Sequence, residues 1–305
     1  MFLIKHSIAG IVFSTESDFY LPHMAQPNFE PFFSETTGAD ICCRFQALNH
    51  TASPSGVLTE NQRERLLATI GFPRKWLDRK ILNLPLVREK IEGCLTYPDL
   101  AHIGLRWGRA IIRNYHSNEL DYFYDPETAG EFSNGMMAAR YRNLLAPFLP
   151  NFSAFMSHGG GIIRNDMAMV FLASDEGGKS SAVKLAVGCP VLSDDQVILR
   201  KQGNNEIVAY GTPFAPLSSG RVQARLGGIF LLEKSDNFSL TPLPIRDSVQ
   251  FIWKEHMHLW FLMPKALRVK AFNIIVDACA QAKAFRLGFS KDYIDWDAVD
   301  AATKK

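Results

Sequence analysis

The pattern of apolar and polar positions changes character once along this chain, near residue 150. Before that point short apolar runs alternate with turn clusters: Ile8 to Phe13, then Thr15 to Asp18, then Ile41-Cys42-Cys43-Arg44-Phe45. That spacing predicts the strands of a small sheet. Thr51 to Gly56 reads as a loop, and the stretch up to Ile103 has helical tendency. Gly104 to Arg113 and Leu120 to Tyr124 resume strand character across an Asn/Ser turn. Met136 to Phe148 is apolar at helical spacing and stops before Pro150, whose ring cannot continue a helix. Residues 1–150 are therefore expected to form a mixed α+β module, with the boundary at that proline.

From residue 151 to 305 the pattern is α/β. A strand around His158 to Ile163, a turn at Arg164-Asn165-Asp166 and a buried strand from Met167 to Leu172 come first. A loop and a short helix from Ser180 to Val187 lead to a strand from Pro190 to Leu199, a hairpin across Gln202 to Asn205, and a strand from Gly228 to Leu232. Helices over Ser248 to Leu262 and Lys265 to Phe285 are separated by Pro264, and a strand at Phe285 to Phe289 precedes a last helix. Gly159-Gly160-Gly161 suits either close backbone packing or approach to a ligand.

Composition narrows the function classes. The 305 residues are 47% hydrophobic, enough for a large core and two domains, and 33 basic against 31 acidic side chains leave no electrostatic footprint for general nucleic-acid binding. Five cysteines without C-x-x-C spacing suggest neither a disulfide framework nor a zinc site, and a reducing, cytoplasmic setting is expected. No secretory segment or membrane span is read, so the Asn-x-Ser/Thr triplets at Asn49, Asn151 and Asn237 are taken as chance.

The chemistry concentrates between Phe171 and Ser181. An apolar strand feeding Ser174-Asp175-Glu176-Gly177-Gly178-Lys179-Ser180-Ser181 and then a helix is the context of a phosphate-binding loop. In such a loop backbone amides from Ser174, Gly177, Gly178 and Ser181 face the polyphosphate, Lys179 reaches the β- and γ-oxygens, and the Ser180 hydroxyl binds Mg²⁺. Two departures oppose this: Ala173 stands where the motif has its first glycine, and Asp175 and Glu176 bring negative charge into the loop.

Asp194 and Asp195 follow a short helix and a return strand, which carries them back toward the loop. Two acids there suit a magnesium-linked acceptor and a catalytic base. His158 lies on the strand preceding the loop strand, near enough to join them. The order of parts, His-Gly, strand, Gly-Lys-Ser, Ser-Asp-Asp, Gly-Thr-Pro-Phe, resembles the HPr kinase/phosphorylase and phosphoenolpyruvate carboxykinase superfamily over residues 150–295. It is most similar to the HPr-kinase-like proteins of modified-peptide gene cassettes. The resemblance implies an α/β, HPr-kinase-like P-loop fold in the C-terminal half, with ATP or another purine nucleotide and Mg²⁺ as cofactors. Lys179, His158, Asp194 and Asp195 become the catalytic set, with Asp195 as the base and Asp194 and Ser180 holding the metal. The implied reaction is phosphorylation of a serine on a peptide or small protein, and the acceptor is the implied partner. Arg221 and Arg225 are loose candidates for neutralising the transferred group.

Other readings stay open beside this one. The degenerate loop fits a non-catalytic nucleotide- or peptide-binding partner, and the superfamily also fits small-molecule phosphotransfer. His256 and His258 do not share a helical face, so they read as packing or surface residues rather than a metal pair. Trp107 among Arg106, Arg109 and Arg113 reads as a core side chain beside a solvated basic face.

Overall fold

The computed structural model describes residues 1–17, 28–47, 61, 87, 89–91, 101–106, 109–124, 141–174, 176–256 and 263–304. Two mixed sheets and a set of helices make it an α/β protein. The first sheet contains β1 (Phe2–Ile8), β2 (Ile11–Ser17), β3 (Ile41–Ala47), β4 (Ala101–Arg106), β5 (Arg109–Asn114) and β6 (Glu119–Tyr124), in the order β1-β2-β3-β6-β5-β4. Strand β3 is parallel to both β2 and β6, and the outer pairings are antiparallel. The run expected as one strand from Gly104 to Arg113 is two antiparallel strands, with Arg106 opposite Arg109. Trp107 lies outside the described residues.

The second sheet holds β7 (Ala154–Arg164), β8 (Met167–Leu172), β9 (Val191–Ser193), β10 (Gln196–Lys201), β11 (Ile207–Tyr210), β12 (Gln223–Lys234), β13 (Ser239–Leu243) and β14 (Lys283–Phe289). Its order is β11-β10-β7-β8-β12-β14-β13, with β9 on β7; β11 also pairs with β12, so five strands close into a ring. Within it β8, β12 and β14 run parallel. The turn between β7 and β8 places Asn165 and Asp166 at φ 50° and 59°, the left-handed pair that a two-residue hairpin needs and that Asn and Asp tolerate.

Strand β8 shows why the sheet is buried on both faces. Ala168, Val170 and Leu172 join one apolar cluster, while Met169 and Phe171 join another, the period of two expected of a strand. The first cluster continues to α3 (Lys265–Gln281) through Ile274, Ile275 and Ala278, and onward to Ile8, Phe13 and Phe45 of the first sheet. The second cluster packs α1 (Lys179–Leu185) and α4 (Trp296–Thr303) through Ala182, Val183 and Val299. The two sheets fall on either side of residue 150 in sequence and share one continuous core.

Local chemistry overrides periodicity in several places. The expected strand from Pro190 to Leu199 breaks at Asp194-Asp195, because the Ser193 hydroxyl accepts hydrogen bonds from the amides of Asp195 and Gln196 at 3.2 and 3.1 Å. The helix expected to reach Phe285 stops at Gln281; Ala282 is extended and β14 begins at Lys283, where pairing with β12 satisfies the backbone. The helix expected from Ser248 is α2 (Ile245–Phe251), passing into a π-turn at Ile252–His256. Strand β13 was not expected; it is an edge strand, and an edge accommodates Pro242. Among the described residues no helix is long and apolar enough to cross a membrane, and the described cysteines are free.

Arg164 ties α4 to this sheet. Its Nε and Nη2 donate to both Asp300 oxygens at 2.8 Å, and the guanidinium sits 5.4 Å from the Trp296 ring centroid. A planar fork matched to a carboxylate and stacked on indole is not reproduced by an ammonium. Arg164→Lys is expected to lower stability by about 1 kcal/mol in urea unfolding. An unchanged midpoint would contradict that account.

Candidate active site

The loop after β8 is shaped by steric fit. Ala173 is 2% exposed and extends the alternation of β8 into the second apolar cluster. A Cβ on Gly177 would lie 2.5 Å from the Ala173 methyl carbon and 2.9 Å from the Ser174 carbonyl oxygen, so the methyl is accommodated only because residue 177 has no side chain. Gly178 has φ +98°, and a Cβ there would meet the Phe289 ring at 2.9 Å. The amide of Gly177 donates to the Ser174 carbonyl at 2.9 Å, and α1 starts at the next lysine. Ser174 and Ser180 are exposed and Ser181 is half-buried.

Lys179 is 8% exposed, and its Nζ donates to the carbonyls of Ala173 at 3.0 Å and Ser174 at 3.3 Å. The ammonium thus lies back across the loop that precedes it. Burying a cation costs free energy unless it is hydrogen-bonded, and the two carbonyls supply that compensation. An anion entering the loop competes for the same ammonium.

Beside the loop, a cleft of about 460 Å³ opens at the C-terminal ends of β12 and β14. Gly178 and Ser181 line one side, Lys234, Ser235 and Asp236 another, and Phe289, Ser290, Lys291 and Asp292 the third. Crevices at the carboxyl ends of parallel strands are the usual ligand sites of open α/β sheets. In sequence these residues show only that Lys-Ser-Asp and Ser-Lys-Asp each end an apolar strand run; their convergence comes from the parallel pairing of β12 and β14.

The glycine run in β7 serves packing. A Cβ on Gly159 would meet the Phe171 carbonyl oxygen at 2.8 Å, and one on Gly161 would touch Leu192 and Val197 at 3.0 Å. A Cβ on Gly160 would reach Val183 of α1 at 2.9 Å. The carbonyl oxygens of Lys179 and Ser193 lie 3.5 and 3.6 Å from that same point. Gly160 thereby lets the start of α1 and the turn bearing Asp194 and Asp195 converge on one spot of β7.

At that turn the two acids diverge. Asp194 accepts from the Leu217 amide at 3.2 Å. Asp195 Oδ1 is 2.9 Å from His158 Nε2, its Oδ2 accepts from Arg142 Nη1 at 2.7 Å, and Gln196 Nε2 approaches Oδ2 at 3.4 Å. Burial alone would raise the Asp195 carboxyl, but the hydrogen bond and charge of His158 and the charge of Arg142 outweigh it and hold the group down at about 2. His158 and Asp195 are brought together as expected from sequence; Arg142 was not foreseen, since nothing in the apolar run around it marks it.

The remaining candidates are placed elsewhere. Arg221 donates to the Phe33 carbonyl, and Arg225 pairs with Glu206 at 2.7 Å. Both are engaged with partners away from the acid pair, so the arginine beside the acids is Arg142. Among the described residues no group of three His, Cys, Asp or Glu is spaced to hold a metal. His258 lies outside the described residues, and His256 ends the π-turn.

Glu176 sits in the loop at φ +61°, in the left-handed region where a side chain is strained, and is exposed. Glu176→Gly is expected to relieve that strain and remove a negative charge from the phosphate path, tightening polyphosphate binding several-fold in calorimetry. Weaker binding in the mutant would mean that the carboxylate helps hold the loop.

No protein-family model matches this chain, and no curated protein matches it either.

Proposed function

We propose that the protein is a Mg²⁺-dependent, nucleotide-using kinase of the HPr-kinase-like type that phosphorylates a serine on a peptide or small protein. The observation that carries the reading is Lys179, buried at the head of a strand-loop-helix unit with its ammonium folded over the loop it would use to hold phosphate. The cleft beside Gly178 and Ser181 has room for the rest of a nucleotide. Ser180 and Asp194 would be the protein ligands for a Mg²⁺ ion, which would neutralise charge on the phosphate oxygens. No three-carboxylate cage is required for it.

Phosphoryl transfer asks the protein mainly to position groups and neutralise charge. Asp195, ionised at neutral pH, would accept a hydrogen bond from the acceptor hydroxyl on the lone pairs not used by His158 and Arg142. As the oxygen–phosphorus bond to the acceptor forms and the bond to the nucleoside-diphosphate leaving group breaks, the hydroxyl proton would pass to Asp195. The mixed sheet of residues 2–124 would offer its edge strands to an extended acceptor segment.

One observation favours a second reading, a nucleotide- or peptide-binding partner without turnover: the Lys179 ammonium is already committed to the carbonyls of Ala173 and Ser174. Incubation with γ-labelled ATP, Mg²⁺ and candidate peptides separates the two. A phosphoserine adduct by mass spectrometry supports the kinase. Nucleotide binding without any adduct supports the binding partner, and labelling of a free metabolite alone points to small-molecule transfer.

A further inference from the structure

We infer that Arg142, contributed by the chain ahead of residue 150, is the positioning residue that fixes the Asp195 carboxylate against His158, so that the acid–imidazole pair is completed from the N-terminal half. The functional meaning of this inference rests on the phosphotransfer reading; the geometry does not.

A carboxylate with one partner can turn about its last side-chain bond and exchange its oxygens. Here each oxygen has a different partner: Oδ1 faces His158 Nε2 at 2.9 Å and Oδ2 faces Arg142 Nη1 at 2.7 Å. Among the described residues, removing Arg142 leaves Oδ2 with only the long contact to Gln196 at 3.4 Å. The groups around Asp195 are then His158 from β7, Arg142 from the helical turn at 141–145, Gln196 from β10, and Asp194, which turns away to the Leu217 amide.

Arg142 is itself held in place. The preceding Tyr141 is fully buried, and its hydroxyl shares a 2.8 Å hydrogen bond with Thr15 Oγ1 on β2. Leu144 and Leu145 are buried after it. The 3₁₀ segment Ala146–Phe152 buries Phe148 and Leu149 and turns through Ser153 at φ 56° directly into β7. Arg142 and His158 therefore stand on two arms of one packed corner, with the first arm anchored in the N-terminal sheet.

A tie that served folding alone would be poorly placed. The Arg142 and Asp195 side chains are 22% and 36% exposed, and a half-screened ion pair adds little to stability. What the contact does control is the orientation and charge of the acid, and that is where its loss will register.

The test uses the full chain as wild type, Arg142→Ala and Arg142→Lys. In a crystal structure of Arg142→Ala the Asp195 carboxylate is expected to turn so that Oδ1 leaves hydrogen-bond distance of His158 Nε2, while the urea midpoint and nucleotide affinity stay at wild-type values. Single-turnover transfer is expected to fall at least tenfold with the KM for nucleotide unchanged. Arg142→Lys keeps one charged donor for Oδ2, so Asp195 should stay against His158 and the rate should recover in part. An Asp195 carboxylate seated identically against His158 in all three proteins overturns the inference, as does an Arg142→Ala rate equal to wild type in an active preparation. If Arg142→Ala does not fold, Arg142→Met, which keeps an apolar stem and no donor, decides: a wild-type rate with Asp195 still seated against His158 overturns the inference. Should wild type transfer phosphate to nothing, the phosphotransfer reading falls, and the placement of the Asp195 carboxylate in the variant structures still settles whether Arg142 positions it.

Discussion

Lys179→Ala is expected to weaken nucleotide binding by about a hundredfold or more while leaving the protein folded. In wild type the ammonium donates to the carbonyls of Ala173 and Ser174, and in the proposed nucleotide complex it would exchange these for phosphate oxygens. Hydrogen bonds to charged groups contribute about 1.5–3 kcal/mol each, so losing them should weaken binding by about a hundredfold or more. Folding should suffer little, because the substitution also removes the cost of burying a cation. Calorimetric titration of Mg-ATP into both proteins checks this; equal affinities would mean that the loop is a structural turn and that any nucleotide binds elsewhere.

Asp195→Asn is expected to keep nucleotide affinity and lose turnover. The amide is nearly isosteric, but it puts a neutral group, or an NH₂ donor, against His158 Nε2 or Arg142 Nη1. Loss of a positioned acid–base group costs about 10²–10⁴-fold in rate. Single-turnover transfer at the wild-type rate in this mutant would exclude Asp195 as the group that orients the hydroxyl. The pH dependence follows from the same site. Since the carboxyl is held at about 2, below the ordinary range of about 4, Asp195 stays ionised through the neutral range and sets no acid limb there. Its contribution to stability is present above the ordinary carboxylate range and is lost as pH falls toward 2.

The parts of this site that were legible in the sequence are those fixed by local rules. The run from Met167 to Leu172, the glycines and the lysine announced a strand, a tight turn and a helix start, and these are where the loop forms. The convergence of His158 with Asp195 was also readable, because an antiparallel strand order returns the Ser-Asp-Asp turn to β7. Arg142 was not, since its role depends on how a corner held by Tyr141 and Thr15 packs against a strand far along the chain. Nor was the cleft: Lys234 and Lys291 follow strands whose adjacency comes from the parallel pairing of β12 and β14, a long-range fact. The Pro190 to Leu199 run shows the opposite limit, where one serine hydroxyl interrupts a strand that periodicity alone would continue.

The central claim, that the loop of residues 173–181 binds a magnesium nucleotide, is tested most directly by thermal unfolding of the wild-type protein with ATP or ADP, each with and without Mg²⁺. Ligand at about a hundred times its dissociation constant adds about 2.7 kcal/mol to folding, which for a domain of 150–250 residues raises the midpoint by roughly 5 °C or more. We expect that rise with nucleotide and Mg²⁺ together, a smaller one with nucleotide alone, and almost none in Lys179→Ala. A midpoint unmoved by millimolar nucleotide under all these conditions would contradict the account.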